Sequence, residues 1–405
     1  MRRATTAQGF DDGMFTTGIL ADIWNVVDFG IEESLDLIQS VGAQSISLRV
    51  TSSRVSQLRA GEFDGPRMFR SDGGYFFQPD KSKYANTRIK PVVASWLKSR
   101  DPLEKIAESC RKRDLELRLR ISALEHPLIA SRYPEGVTKS VFGDSAPETL
   151  SAANPDVVEL LRATACDLTS RCPKSAIELE EICFRSGARE SDCLQLGPDF
   201  DDGFFSLLAL SFDESSRQFA IRENVDVDAV SRWISVTLEK ALSDGHPVES
   251  LHMELMEESP ILKSFVHSQI DAVTILVSQV ETAIENALSV VFCGQVFDGS
   301  FPRVDCDALK NDRSVIIQSQ DGFVHESQEG SEFFWGIENL SNVHTARQTQ
   351  MSTIPWDVPE RLVSEVKSYA DSGLSGVVLA GFGLFPQSGF DVIKRAFRFA
   401  SRSSQ

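Results

Sequence analysis

Glu178 and Glu180 stand two positions apart in Ile177-Glu178-Leu179-Glu180-Glu181-Ile182, and Arg118 and Arg120 keep the same spacing in Leu117-Arg118-Leu119-Arg120-Ile121. Residues two apart in extended backbone share a face, so each segment predicts a strand with one aliphatic and one charged face. Carboxyls gathered beside guanidiniums can do two kinds of work. Two carboxyls in different protonation states can donate and accept protons as general acid and base. Alternatively the charges pair and serve as a structural ion network. Glu178, the deeper of the two, is expected to pair with Arg118 or Arg120. Glu180, at the strand end, suits either role. Glu181 has the opposite parity and reads as a loop or capping residue.

The elements that carry these residues follow from their neighbours. Both charged segments, 115–121 and 177–182, come after helical stretches. Strands alternating with helices form parallel sheets, and parallel strands covered on both faces read as near-continuous aliphatic runs. A charged face on such strands instead implies a closed barrel with a polar interior. Strands are expected at 13–20, 45–50, 115–121, 177–182, 288–296, 314–318, 333–339 and 374–385. Between them lie helical stripes such as Ile31, Leu35, Ile38 and Val41, stopped by Gly42. Asp101-Pro102 reads as N-cap and first-turn proline for a helix bearing Leu103, Ile106, Ala107 and Cys110. Asn154-Pro155-Asp156 does the same for Val157, Leu161, Ala165 and Leu168. Further helices are expected at about 226–244, 261–287, 358–372 and 388–400. The fold class is therefore α/β, a TIM-type (β/α)8 barrel forming a single domain over 1–405. Long loops follow strands 2 and 4, with insertions at 51–96 and 185–225 over the barrel mouth. An open doubly wound sheet would want a Gly-rich phosphate turn after the first strand, and none is present.

Composition narrows the partners. With 59 acidic and 41 basic residues, the net charge of −18 argues against nucleic acid and anionic membrane. No CxxC pair occurs among the 7 cysteines, and their odd number suits reduced thiols in a cytoplasmic protein. No apolar segment is long enough to span a bilayer, and no h-region follows the basic N-terminus. The histidines other than His126 sit away from clear strand ends, which counts against a multi-histidine metal centre. Asp199, Asp201 and Asp202 lack the spacing of a calcium loop. Neither a metal nor another cofactor is expected, and the oligomeric state is not encoded in any visible pattern.

Three stretches carry a resemblance to a known family. Tyr75-Phe76-Phe77-Gln78-Pro79, with Tyr84 and Ile89-Lys90-Pro91, is similar to an aromatic loop of a glycosyl-hydrolase-like (β/α)8 barrel family of bacterial genomes. Ala153-Asn154-Pro155-Asp156-Val157 resembles the segment that opens that family's helix before the fourth strand. Ala176-Ile177-Glu178-Leu179-Glu180-Glu181 lies where relatives carry Gly-Ile-x-x-Asp-Asp, and where the distantly similar α-amylase superfamily carries Gly-Phe-Arg-x-Asp. The Arg of that last motif is Glu178 here and its Asp is Glu180.

The resemblance implies a glycosidase-type hydrolase acting on a carbohydrate through paired carboxyls. Glu180 is the first catalytic candidate. Its partner is expected to be Glu338, in Phe334-Trp335-Gly336-Ile337-Glu338-Asn339, or, second, Asp298 after the fifth strand. Glu178, His126, Arg120, Trp335 and Asn339 are candidate substrate contacts, with Tyr75, Phe76, Phe77 and Trp356 as possible stacking surfaces. Two other classes stay open. One is a non-catalytic carbohydrate-binding or degenerate barrel with a structural Glu/Arg lumen. The other is a metal-dependent (β/α)8 hydrolase or isomerase.

Overall fold

The computed structural model describes residues 15–60, 64–182, 200, 202–245, 248, 259–286, 288–293, 314–319, 345–350, 359–371 and 376–403. Its main sheet is built from β1 (Thr16–Asp22), β2 (Ser45–Arg49), β3 (Glu116–Ser122), β4 (Ala176–Glu180), β5 (Leu288–Cys293), β6 (Ser314–Ser319), β7 (Thr345–Gln350) and β8 (Gly376–Ala380). All pairings are parallel, and the order β1-β8-β7-β6-β5-β4-β3-β2 leads back to β1. The described protein is a mixed α/β fold around this parallel sheet. Its helices are α1 (Ile23–Phe29), α2 (Ile31–Ser40), α3 (Leu103–Lys112), α4 (Pro127–Arg132), α5 (Pro155–Arg171), α6 (Asp202–Leu208), α7 (Glu214–Arg222), α8 (Val227–Asp244), α9 (Pro260–Thr282), α10 (Pro359–Asp371) and α11 (Gly389–Ser403).

Period-2 alternation sorts β2, β3 and β4. Ile46, Leu48, Leu117, Leu119, Ile121, Ile177 and Leu179 join the apolar core. Ser47, Arg120, Ser122, Glu178 and Glu180 point the other way and are also buried, so both faces of these strands are covered. Register then stacks the polar side chains in rows. Asp22 lies beside Arg49, Arg49 beside Arg120, and Arg120 beside Glu178. Toward β8 the same side of the sheet turns apolar, where Leu20, Val378 and Ala380 form a small cluster of their own.

The helix-start signals were met unequally. The Asn154 side chain accepts from the backbone N–H groups of Asp156 and Val157, with Pro155 in the first turn, as an N-cap should. Asp101 does not cap α3. That helix starts at Leu103 with Pro102 at the cap position, and Asp101 instead binds Arg171 at 2.7 Å. The segment expected as the seventh strand, 333–339, lies outside the described residues; the strand that occupies this place in the pairing order is β7, Thr345–Gln350. The insertion after β2 holds an antiparallel hairpin, Val55–Leu58 with Met68–Ser71. α4 and a second hairpin, Val137–Lys139 with Ser145–Leu150, follow β3.

Tyr75, Phe76 and Phe77 need correcting. Far from offering faces to a ligand, they are wholly buried, Phe76 against Trp24 and Trp96. Aromatic area of this size is worth more in a core than on a surface, and here the insertion uses it to dock. Cys110, Cys166 and Cys172 are free thiols, and burial pushes Cys110 up to about 12 and Cys172 up to about 11. Such thiols are poor nucleophiles. Among the described residues no helix is long and apolar enough to cross a membrane, and no group of three or more His, Cys, Asp or Glu could hold a metal ion.

Candidate active site

The strand ends of β1 to β4 bring one charge network together at the C-terminal side of the parallel sheet, where loops follow each strand. Arg49 is its hub. Its Nε and Nη2 donate to Glu180 Oε1 and Oε2 at 2.6 and 3.2 Å, a two-pronged grip, while Nη1 donates to Asp22 Oδ1 at 2.6 Å. Arg120 lies deeper. Its Nε donates to Glu178 Oε2 at 2.8 Å, and Nη1 reaches Glu180 Oε2 at 3.4 Å. Ser47 donates its hydroxyl to the other Glu178 oxygen at 2.9 Å. Arg120 is thus the close partner of Glu178, and Arg118 the distant one. Arg118 forks onto Glu116 on its own strand at 2.9 and 3.0 Å and leaves Glu178 at 4.0 Å.

Exposure grades the network. The Arg120 and Glu178 side chains are completely buried, Glu180 is 5% exposed, and Arg49 is 21% exposed, so Arg49 forms the face toward solvent. Burial by itself would push the Glu180 carboxyl up. The Arg49 and Arg120 guanidiniums outweigh it and hold the group below the usual glutamate value. Burial likewise works against the Arg49 cation, but Glu180 and Asp22 raise its pKa well above the ordinary arginine range. Glu180 is thus an ionised carboxylate at working pH, suited to act as nucleophile or base and unsuited to deliver a proton.

Asp22 was missed by a strand prediction that stopped at position 20. Continuing the alternation of Gly18 and Leu20 by one step would have found it. Its second oxygen accepts from Gln57 Nε2 at 2.7 Å and Asn25 Nδ2 at 3.4 Å. Gln57 comes from the insertion hairpin, and its own oxygen takes Trp24 Nε1 at 2.9 Å. Asn25 is fixed by the loop after β8, where Phe382 O accepts its amide at 3.2 Å. Gly383 is required there. Its φ is +96°, and a Cβ would come within 2.5 Å of Asn25 Nδ2.

Glu181 also departs from its parity. Its φ of +56° is left-handed, rare for a residue with a side chain. The turn brings its carboxylate back to β3, where Oε2 lies 2.5 Å from Ser122 Oγ. The same hydroxyl is 2.9 Å from Glu125 O. His126 sits behind this point, 1% exposed, with Nε2 donating to Ser122 O at 2.6 Å and its ring stacked on Tyr75. Burial, only partly offset by that carbonyl, pushes the imidazole down to about 4, so it is neutral. Of the remaining candidates, Glu338, Asp298, Trp335, Asn339 and Trp356 lie outside the described residues.

No protein-family model matches the chain, and no curated protein matches it. Solved structures do. A β-galactosidase from the psychrophilic Marinomonas ef1 aligns at 10% identity and TM-score 0.52 over 95% of this chain and 59% of that one. A β-galactosidase from the Antarctic haloarchaeon Halorubrum lacusprofundi aligns at 11% identity and TM-score 0.50, over 96% of this chain and 57% of that one. An α-L-fucosidase isoenzyme from Paenibacillus thiaminolyticus gives 10% identity and TM-score 0.48, over 95% and 49%. The chain therefore spans between about half and three-fifths of the length of these structures. At such identity the likeness is one of fold, which this chain shares with the two β-galactosidases over most of its length.

Proposed function

We propose that the chain is a TIM-type (β/α)8 glycoside hydrolase with its site at the C-terminal mouth, and that Glu180 is the carboxylate acting on the anomeric carbon. The observation that carries this is the state of Glu180. It ends β4, lies within reach of the half-open face formed by Arg49, and is held ionised by two guanidiniums. Glycoside hydrolysis needs such a group together with a second carboxyl that keeps its proton. Glu338, and after it Asp298, are the proton donors proposed from sequence. Trp335 and Asn339 are proposed sugar contacts, whereas the buried His126 supports the end of β3 through Ser122 O, and Arg120 and Glu178 act by holding Glu180.

A panel of aryl glycosides differing in sugar and anomeric configuration tests the reading, with the full chain as enzyme. Turnover by the wild type and a loss of two orders of magnitude or more in Glu180→Gln are expected. Glu180→Gln also breaks a buried pair, so rates are compared per folded molecule, judged by circular dichroism. A specific observation favours a second reading: both Glu180 oxygens already bind arginine. If no glycoside is turned over while sugars still shift the melting temperature, the barrel is a non-catalytic carbohydrate binder with a structural ion network.

A further inference from the structure

We infer that Glu181 is the proton donor that works with Glu180, in place of a residue from the loops after the fifth or seventh strand. This rests on the hydrolase reading and specifies its second carboxyl. A regular strand would send Glu181 to the face opposite Glu180. The left-handed φ of +56° prevents that. Ser122 continues the parity of Arg118 and Arg120 and pairs across the ladder with Glu180. A Glu181 oxygen 2.5 Å from the Ser122 hydroxyl therefore stands on the same side of the sheet as the Glu180 carboxylate. A non-glycine residue keeps such a backbone conformation only when its surroundings enforce it, and such residues gather at functional sites.

Proton accounting at Ser122 points the same way. A hydroxyl has one proton to give, yet Ser122 Oγ lies within hydrogen-bonding distance of two acceptors, Glu125 O and Glu181 Oε2. A proton on Glu181 satisfies both contacts: Glu181 donates to Ser122 Oγ, and Ser122 donates to Glu125 O. Glu180 has no such arrangement, because every described partner of its oxygens is a cation. Neighbouring carboxyls are thus placed in opposite protonation states, the condition for dividing acid and nucleophile roles. Glu181 is moreover half-buried where Glu180 is buried, so it is the more accessible residue of the two.

The chemistry balances without a further reactant. A Glu180 oxygen bonds to the anomeric carbon as the bond from that carbon to the leaving oxygen breaks, and Glu181 passes its proton to that oxygen. Water then gives a proton to Glu181 while its oxygen replaces Glu180 on the anomeric carbon, restoring both groups. Two displacements at the anomeric carbon, one by Glu180 and one by water, retain configuration.

The test is the leaving-group dependence of turnover by full-length wild type, Glu181→Gln, Glu181→Gly and Glu338→Gln. Glu181→Gln should lose about 1,000-fold or more on alkyl glycosides, yet keep most of its glycosylation rate on dinitrophenyl glycosides, which need no proton. Azide should restore its turnover and give a glycosyl azide of retained configuration, and the basic limb of the pH profile should vanish. Glu181→Gly, which adopts positive φ freely, should show the same pattern in a protein at least as stable. An unchanged leaving-group dependence in both Glu181 variants, with the change appearing in Glu338→Gln, overturns this assignment alone. A wild type that turns over no glycoside overturns the hydrolase reading, and this assignment falls with it.

Discussion

Two of the regions that bury carboxylates treat them in opposite ways. At the strand ends, Glu178 and Glu180 are embedded among Arg49 and Arg120, and the guanidiniums more than compensate for lost water around Glu180. On the outside, Asp167 of α5 receives the insertion: Oδ2 accepts from Asp80 N at 2.9 Å and from Tyr84 Oη at 3.2 Å, while buried Oδ1 has no hydrogen-bond partner. Nearby, Tyr75 Oη is bonded to Thr164 Oγ1 at 2.9 Å. Arg171 lowers the Asp167 value only through its field, since its own donors go to Gln78 O, Asp101 and Glu104. Burial wins and the Asp167 pKa is raised. Burial is common to both sites. What differs is whether a cation or a neutral donor answers it, and that decides which carboxylate is ionised and ready for chemistry.

The largest expected effect is removal of the deep cation. Arg120→Met leaves Glu178 and Glu180 facing each other without their shared guanidinium, and should cost about 3–5 kcal/mol of stability in urea denaturation at neutral pH. Glu178→Gln, which leaves Arg120 its contact with Glu180, should cost less. A loss below about 1 kcal/mol in Arg120→Met would mean that the strand-end charges are effectively solvated, and the contrast with Asp167 would lose its basis.

His126 extends the comparison to a buried base that has only a backbone carbonyl for a partner. Its value falls from 6.5 to about 4 in the folded protein. Between those limits the unfolded chain binds a proton that the native protein does not, so stability is complete above about 6.5 and is lost as the pH falls toward 4. The full window corresponds to about 3 kcal/mol. His126→Asn should remove that part of the acid dependence, measured as the wild-type-minus-variant difference at pH 7, 5.5 and 4, since Glu180 titrates in both proteins. A constant difference would show that the imidazole is hydrated.

What the sequence disclosed follows from how local each signal is. Alternation at 115–121 and 177–182 was readable because period 2 is set by backbone geometry alone, and it put Arg118 with Arg120 and Glu178 with Glu180 on charged faces that the register brings side by side. The Asn154 cap was readable for the same reason. Asp101 offered the same local signal, but Arg171 of α5 competed for its carboxylate. Gln57 reaches Asp22 across 35 positions, and no periodicity announces such a contact. The positive φ of Glu181 is equally silent, because only tertiary packing makes a glutamate adopt it. The aromatic insertion misled for a related reason: composition does not tell a stacking surface from a docking core until the partners, Trp24 and Trp96, are in place.

The smallest effect is the most discriminating. Asp167→Asn keeps an oxygen to accept from Asp80 N and Tyr84 Oη and removes only the charge. At neutral pH the variant should stay within about 1 kcal/mol of wild type, and on the stable side, because a buried anion without a bonded cation is relieved. The pH dependence fixes the sign. A carboxyl whose folded value lies above its unfolded one binds its proton more tightly in the native state. Its contribution is therefore complete below about 3.8 and is lost as the pH rises through the raised folded value. The advantage of Asp167→Asn should grow with pH over that interval and vanish in acid, opposite in direction to His126→Asn. Denaturation curves of both variants at pH 4 and 7 settle it: if Asp167→Asn is the less stable at pH 7, Asp167 draws on Arg171 as Glu180 draws on Arg49, and the two regions differ in degree alone.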